Sequence, residues 1–499
     1  MTFQELISGL DIIECSQNCS IEITNIVYDS RKARNGSLFV AIDGYVTDGH
    51  KFIEQAVSQD VSAVLIQHAP DEMNPQQRQA LEGVFWARVP DTRRALAYVS
   101  DRFFNHPSGR LDLIGITGTK GKTTTAYMVR SILMAAGRKT GLIGTVANMI
   151  GERVMYASRT TPESYDLQVL LDEMTAAGLD SCSMEVSSQG LKLNRVYGCH
   201  FKVGAFTNLY EDHIGPHEHA DMEEYLTAKM MLFPMSEQIV VNRDIDLYER
   251  VAASAGNHIS YGLNDDADVR AIELKRVVEH GRAGTAFRLY SPWFNDDFFV
   301  AMPGRFNVSN ALAAVAICGC LGLPAAAIKD GLAEISVPGR VQSVPTDGSF
   351  QIIVDYAHNA ASLEKLLETL REYVDNRLIV VFGNGGDRAR SRRFEMGAVS
   401  GRMADYTIIT SDNPRTEDPM AIIEDIITGI KPTGGDYEVI PDRRDAIAGA
   451  IKMARSGDMI VIAGKGHETY QIFKDKTIHF DDAETAAEIL AAGEKNESV

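Results

Sequence analysis

Leu113-Ile-Gly-Ile-Thr-Gly-Thr-Lys-Gly-Lys-Thr-Thr124 is an apolar run that ends in a cluster of glycine, threonine and lysine. The run over 111–117 predicts a buried strand, and Lys122–Ala136, stopped by Gly137, predicts a helix. A tight loop of small residues between them lets backbone N–H groups close around phosphate at the positive end of the helix. Lys122 would then reach the β- and γ-phosphates of a nucleoside triphosphate and Thr123 would help to hold Mg2+, with Gly118, Thr119, Lys120, Gly121 and Thr124 completing the cradle. The strict Walker spacing calls for glycine at 116, where this chain has Ile116, so the loop is a variant. A loop of this kind does not distinguish a motor, a switch, a kinase or a ligase.

Outward from this loop, short β-branched runs alternate with amphipathic helical stretches. Gly141–Thr145, Gln351–Asp355, Leu378–Phe382, Tyr406–Thr410 and Met459–Ala463 read as strands, and Leu363, Leu366, Leu367 and Leu370 share one helix face. That alternation predicts an α/β fold with parallel sheets. At 499 residues the chain exceeds a single core. Polar, turn-rich joints at Asn105–Arg110 and Val337–Arg340 suggest three domains, 1–108, 109–339 and 340–499, the last two being a phosphate-loop domain and a Rossmann-like domain.

Composition narrows the function. Hydrophobic residues at 45% and charged residues at 23% are the balance of a globular protein. A net charge of −19 argues against nonspecific nucleic-acid binding, so anionic ligands must be met by local clusters of cations. The six cysteines contain no CxxC pair, as in a reducing compartment. The acidic N-terminus has no basic region before an apolar run, and the uncharged stretch Ala311–Ile328 is broken by Gly319, Gly322 and Pro324. A cytoplasmic protein without a membrane span is the expectation.

The segment Gly115–Thr124 resembles the ATP loop of the Mur ligase superfamily, and further motifs of that family follow in order. Asp180-Ser-Cys-Ser-Met-Glu-Val-Ser-Ser188 places Glu185 at a strand end; by itself such a residue is usually solvated, but the resemblance makes it a magnesium ligand. Phe206-Thr-Asn-Leu-Tyr-Glu-Asp-His213 is similar to a stretch that puts Asn208 and His213 near phosphates and metal; His217 and His219 read as surface histidines, with a place facing the site as the alternative for either. Tyr225-Leu-Thr-Ala-Lys-Met-Met-Leu-Phe233 resembles the segment whose lysine is carbamylated, here Lys229. An ammonium beside Mg2+ is repelled, whereas a carbamate offers hard anionic oxygens. Without the resemblance, Lys229 reads as an exposed helical lysine. Departures are Gln189 for a frequent histidine, Gly215 for an aspartate and Gln342 for a commonly acidic residue.

The substrate ends also carry family marks. Tyr28–Ile53 resembles the UDP-binding domain of the ligases that add the third amino acid, which implicates Ser30 and the Gly44–His50 turn; read without the family it is hairpin-like. Thr160, Thr161, Ser187 and Arg195 match positions that grip the muramoyl-peptide, and Ser164 reads alternatively as a helix cap. Asn307, Arg340, Asp355 and His358 match elements that close over ATP, an arrangement that keeps water out until domains meet. Ser411-Asp-Asn-Pro-Arg415 and Gly464-Lys-Gly-His-Glu468 resemble motifs that bind meso-diaminopimelate, implicating Asp412, Asn413, Arg415, Gly464 and Glu468, with Arg388 a further carboxylate contact.

The resemblance implies a monomeric, ATP- and Mg2+-dependent ligase that joins meso-diaminopimelate to UDP-MurNAc-L-Ala-D-Glu. A paralogue using L-lysine or a modified acceptor is the nearest alternative. A switch or motor would leave Arg415 and Glu468 unexplained, and a noncatalytic subunit would have lost Glu185 and Lys229. Arg415→Lys keeps the charge but not the planar fork, so it is expected to raise the KM for diaminopimelate about tenfold or more. ATP binding should be unaffected, and steady-state kinetics with each substrate varied in turn measures both effects.

Overall fold

The computed structural model describes residues 1–16, 20–44, 47–216, 218–279, 282–346 and 349–497, with side chains to Gly493. By their internal contacts these form two units, Met1–Asp268 with Ala313–Pro324, and Val269–Leu312 with Ala325–Val499.

The first unit opens with strands β1 (Glu14–Cys15), β2 (Asn25–Val27), β3 (Ser37–Val40), β4 (Ala63–Ile66) and β5 (Phe85–Arg88) in the sheet order β1-β5-β4-β3-β2. β2 and β3 pair in parallel, and within the hairpin-like region 28–53 Asp43 and Asp48 form an isolated antiparallel bridge. All four residues of β3 are buried, and a strand covered on both faces belongs to a parallel sheet. A second sheet contains β6 (Asp112–Thr117), β7 (Thr140–Ile143), β8 (Asn148–Ile150), β9 (Arg153–Met155), β10 (Ser181–Glu185), β11 (Phe201–Phe206), β12 (Ser236–Asn242) and β13 (Ile259–Gly262). Its order within this unit is β13-β12-β11-β6-β10-β7-β8-β9, parallel from β13 to β7 and antiparallel beyond. The predicted helix after the phosphate loop spans Lys122–Ala135, and Gly137 follows it at φ 77°.

In the second unit, β14 (Val269–Glu279), β15 (Arg282–Tyr290) and β16 (Asp296–Val300) form an antiparallel meander. The other sheet holds β17 (Gln342–Val344), β18 (Gln351–Asp355), β19 (Leu378–Phe382), β20 (Tyr406–Ile409), β21 (Tyr437–Val439) and β22 (Met459–Ala463), in the order β17-β18-β22-β19-β20-β21. Only β17 runs antiparallel to its neighbour. A hairpin of β23 (Tyr470–Ile472) and β24 (Thr477–His479) follows. The expected leucine face of the helix Ala360–Arg371 is buried at Leu363, Leu366, Leu367 and Leu370.

The uncharged stretch 311–328 lies in the helix Arg305–Cys320, a turn, and the helix Ala325–Ala333. Among the described residues no helix is long and apolar enough to cross a membrane.

The helices Ser391–Met403 and Pro419–Ile430 touch backbone to backbone. A Cβ on Gly397 would stand 2.3 Å from the Ile426 carbonyl oxygen, and one on Gly429 would stand 2.0 Å from that of Phe394. Both obstacles are backbone and cannot swing aside. Gly429→Ala is therefore expected to lower stability by about 1–3 kcal/mol, read as a reduced urea midpoint at unchanged m-value.

Candidate active site and amino-acid pocket

After β6 the chain builds β7 and β10 on one side of that strand and β11 to β13 on the other, so the crevice of an open α/β sheet falls at the β6 exit. The phosphate loop sits there, braced by the residues that follow β11. Lys120 O accepts from Thr207 Oγ1 at 2.8 Å and Asn208 Nδ2 at 3.0 Å, while Lys120 N–H donates to Asn208 Oδ1 at 2.8 Å. Gly118 has φ 144°, and a Cβ there would fall 2.0 Å from Thr207 Oγ1. Lys122 Nζ folds over the loop and donates to the Gly118 and Thr119 carbonyls at 2.9 and 3.1 Å. Thr124, on the helix's first turn, is buried.

Two residues expected on bland grounds to be solvated are instead buried. Glu185 is 1% exposed and accepts from Thr123 Oγ1 at 2.9 Å and from Thr145 N–H and Oγ1 at 2.8 and 3.1 Å. Lys229, also 1% exposed, donates to the Gly118 carbonyl at 2.8 Å and lies 4.2 Å from the centre of the Tyr225 ring. Burial, aided by repulsion from Lys122, pulls its pKa down to about 6. A hydroxyl and a carboxylate are hard oxygen donors that fit Mg2+; Lys229 fits only as a carbamate.

His213 is about half exposed, has φ 57° and pairs through Nδ1 with Glu218 at 3.0 Å. Its ring centre is 6.0 Å from that of Tyr225, whose hydroxyl lies 3.1 Å from Thr119 Oγ1. His219 corrects its surface reading: it is fully buried, with Nε2 2.9 Å from Ser188 Oγ and its ring against Tyr225. The cause is a packing partner distant in sequence. His217 lies outside the described residues.

Thr160, Thr161, Ser187 and Arg195 come together beside Glu185. Thr161 Oγ1 donates to the Glu185 carbonyl at 3.0 Å and accepts from Ser187 N–H at 2.9 Å, Arg195 Nη1 donates to Thr161 O at 3.1 Å, and the Thr160 and Thr145 hydroxyls are 2.9 Å apart. The cap of the helix Ser164–Ala176 is Glu163, not Ser164, which is its first residue. Glu163 is drawn instead to Arg195 at 2.8 Å and Arg93 at 3.6 Å. Arg195 Nε is buried without a partner among the described residues, a donor left for a ligand. Neither Glu163 nor Arg93 was singled out from the sequence, although Glu163 directly follows the Thr-Thr-Pro signal.

Gly44 lines a cleft of 390 Å3 with Asp43, Asp91, Arg93 and Leu193. Ser30 is buried and donates to Gln55 Oε1 at 2.8 Å. His50 is also buried and forms a cluster with Asp48 and His68 whose ligand-type atoms lie within 4.8 Å of one another. Gln67 N–H donates to His50 Nε2 at 2.9 Å, so the ring proton sits on Nδ1, 2.6 Å from Asp48 Oδ1. Both nitrogens are spent inside the protein, and the cluster reads as a staple for the turn.

In the second unit, the exits of β18, β19, β20 and β22 surround a pocket of 150 Å3. Arg388, Asp412, Asn413, Arg415, Gly464 and Glu468 all line it, together with His358. Arg415, at φ 54°, donates from Nη1 to the Gly386 carbonyl at 2.6 Å, which fixes the guanidinium in place. Glu468 Oε2 accepts from Asn413 Nδ2 at 2.7 Å and from the buried Lys465 Nζ at 3.3 Å. Burial pushes the Asp412 carboxyl up, opposed by Arg443 and Lys465. Tyr356, Asn384, Arg392 and Arg393 also line the pocket and carried no separate signal in the sequence.

Asp355 accepts from the Val341 and Ala357 amides at 2.8 and 2.9 Å, His358 Nδ1 donates to Tyr356 O at 2.9 Å, and Arg340 lies 5.4 Å from the Tyr356 ring centre. Asn307 is fully buried, and its Nδ2 donates to Pro303 O at 2.8 Å.

Three family models match: the Mur ligase family catalytic domain over residues 22–104, the Mur ligase middle domain over 116–318, and the Mur ligase glutamate ligase domain over 339–466. The chain belongs to the Mur ligase family, with its three-domain α/β architecture. It is 44% identical to UDP-N-acetylmuramoyl-L-alanyl-D-glutamate--2,6-diaminopimelate ligase 1 of Clostridium acetobutylicum, covering 94% of this chain and 95% of that one. Identity to the corresponding ligase of Clostridioides difficile is 42%, covering 98% and 100%. A solved structure of a UDP-N-acetylmuramoyl-L-alanyl-D-glutamate--2,6-diaminopimelate ligase aligns at TM-score 0.75 and 30% identity, over 99% of both chains.

His467, beside Tyr356, has a buried Nδ1 with no partner among the described residues. Burial, then repulsion from Arg340, lowers its pKa to about 4. The unfolded chain therefore binds a proton that the folded one refuses, and this contribution to stability is present above about pH 6.5 and lost as pH falls toward 4. His467→Phe should flatten the fall in denaturant midpoint over that window.

Proposed function

We propose that this ATP-dependent Mur ligase joins meso-diaminopimelate to the D-glutamyl carboxylate of UDP-MurNAc-L-Ala-D-Glu, in peptidoglycan precursor synthesis. The observation that carries the reading is the pocket at the strand ends of the second unit, where Arg415 and Glu468 present opposite charges. Diaminopimelate has both a distal carboxylate and a distal ammonium. The arginine fork suits the carboxylate, and the Glu468 carboxylate suits the ammonium. L-lysine lacks that carboxylate, and its ammonium would meet Arg415 unfavourably.

The γ-phosphoryl group of ATP passes to the glutamyl carboxylate, giving an acyl phosphate and ADP. The incoming amine attacks the acyl carbon, phosphate leaves, and the amine gives up a proton as the amide forms. No covalent protein nucleophile is required. Lys122 and the loop amides of 118–124 hold the phosphates, with Arg340, Asp355, His358 and Asn307 as further ATP contacts. Thr160, Thr161, Ser187 and Arg195 hold the muramoyl-peptide, and Ser30 and the Gly44–His50 turn serve the uridine end.

Mg2+, held by Thr123, Glu185, His213 and a carbamate on Lys229, would offset charge on the transferred phosphoryl group. The lowered pKa of Lys229 leaves much of its amine neutral near pH 7, the form that adds CO2 and releases a proton. Catalysis is then positioning and electrostatics. Domain boundaries near 108 and 340, a monomeric state and a cytoplasmic location belong to the same reading.

The test is phosphate release from ATP with UDP-MurNAc-L-Ala-D-Glu and, in turn, meso-diaminopimelate, L-lysine, L-ornithine or no amine, with mass spectrometry of the product. Turnover should require diaminopimelate. Equal turnover with L-lysine would overturn the specificity assigned to Arg415, and none with any amine would overturn the acceptor.

A further inference from the structure

Beneath the amino-acid pocket lies a cation sealed from solvent. The side chains of Arg443 and Asp482 are both 0% exposed, and they pair through Nε to Oδ1 and Nη2 to Oδ2, each at 2.7 Å. Arg443 opens the helix Arg443–Met453, and Asp482 opens the helix Asp482–Glu497. The same guanidinium turns two donors on backbone: Nη1 reaches Ser411 O at 3.3 Å and Nη2 reaches Ala463 O at 3.1 Å.

Those two carbonyls are the last before the pocket motifs. Ser411 leads into Asp412, Asn413 and Arg415, and Ala463 ends β22 just before Gly464. In the sheet order β22-β19-β20, strand β19 stands between β20 and β22, so no ladder hydrogen bond joins them. Arg443 ties the two backbones together across the end of β19, from a carbonyl at one strand exit to a carbonyl at the other. Its charge also faces Asp412 and Glu468, two carboxylates of the pocket. A buried ion pair is poor evidence for stability, since apolar side chains of similar volume often serve as well. Its distinctive contribution is geometry.

We propose that Arg443, seated on Asp482, is a positioning residue that sets the spacing between the turn carrying Asn413 and Arg415 and the turn carrying Glu468. The inference rests on reading this pocket as the amino-acid site. Its rival is that the direct contacts between those segments hold them unaided: Asn413 Nδ2 to Glu468 Oε2 at 2.7 Å, Lys465 Nζ to Asn413 Oδ1 at 3.4 Å, Gln471 Nε2 to Asp412 O at 2.8 Å and Ile472 N–H to Asn413 Oδ1 at 2.9 Å.

The experiment compares wild-type protein, Arg443→Lys and the apolar double variant R443M/D482L. Melting temperature, kcat and KM for each of the three substrates are measured with the amine that wild type turns over fastest. The double variant removes both members of the ion pair, so neither is left buried alone, and Lys465 still faces Asp412 and Glu468; yet it cannot donate to either carbonyl. It should fold and raise the amine KM about tenfold or more, with KM for ATP and nucleotide-peptide within about twofold of wild type. Arg443→Lys, which keeps one donor and the charge, should show a smaller rise of the same pattern.

A folded double variant with unchanged amine KM, or with all three constants raised equally, overturns the proposal. If it does not fold, Arg443→Lys decides by the same criterion, and failure of both to fold assigns the pair a purely structural role. Failure of the diaminopimelate assignment itself would appear separately, as a different preferred amine in wild type.

Discussion

One buried carboxylate ties the first unit's chemistry together. Glu185 stands at the end of β10 with no room for solvent, and an ionised carboxylate in that position costs several kcal/mol unless donors surround it. The donors come from separate segments: the Thr123 hydroxyl from the helix after the phosphate loop, and the Thr145 amide and hydroxyl from the exit of β7. Its own backbone carbonyl receives the Thr161 hydroxyl. The phosphate loop, the segment proposed to hold the muramoyl-peptide and the exit of β7 therefore share one anchor. Displacing it would disturb all three at once.

The second unit solves a similar problem with the opposite charge. Its pocket is built from strand exits, where parallel strands leave backbone groups without ladder partners and where side chains on successive turns converge. Cations beneath the floor, Lys465 and Arg443, compensate Asp412 and Glu468. Arg415 at the rim is held by the Gly386 carbonyl, so its fork is oriented before any ligand arrives. In an acidic chain of net charge −19, such local clusters are the means of meeting anionic groups.

Of the two candidate sites, the phosphate loop was legible in its glycine, threonine and lysine cluster after a predicted strand, and the remaining residues through their resemblance to Mur ligase motifs. β18, β19 and β22 have the expected limits, and the six residues assigned to the amino-acid site converge on one pocket. The failures have a common cause. His219 was read as exposed because nothing in its neighbours announces Tyr225 and Ser188, and Ser164 was read as a cap because Glu163 had no visible reason to be engaged by arginines.

The sequence by itself determined the α/β class and the strand-loop-helix of the phosphate loop, because periodicity and turn chemistry are local properties of the chain, while the other motif residues were marked by family resemblance. Only the tertiary structure decided which groups are deprived of water. Burial of Lys229, the engagement of both His50 nitrogens, an Arg195 Nε without a partner among the described residues, and the sealed Arg443–Asp482 pair all depend on segments tens to hundreds of residues apart. Charge and proton affinity are set by solvent exclusion, and solvent exclusion is a property of the packed whole.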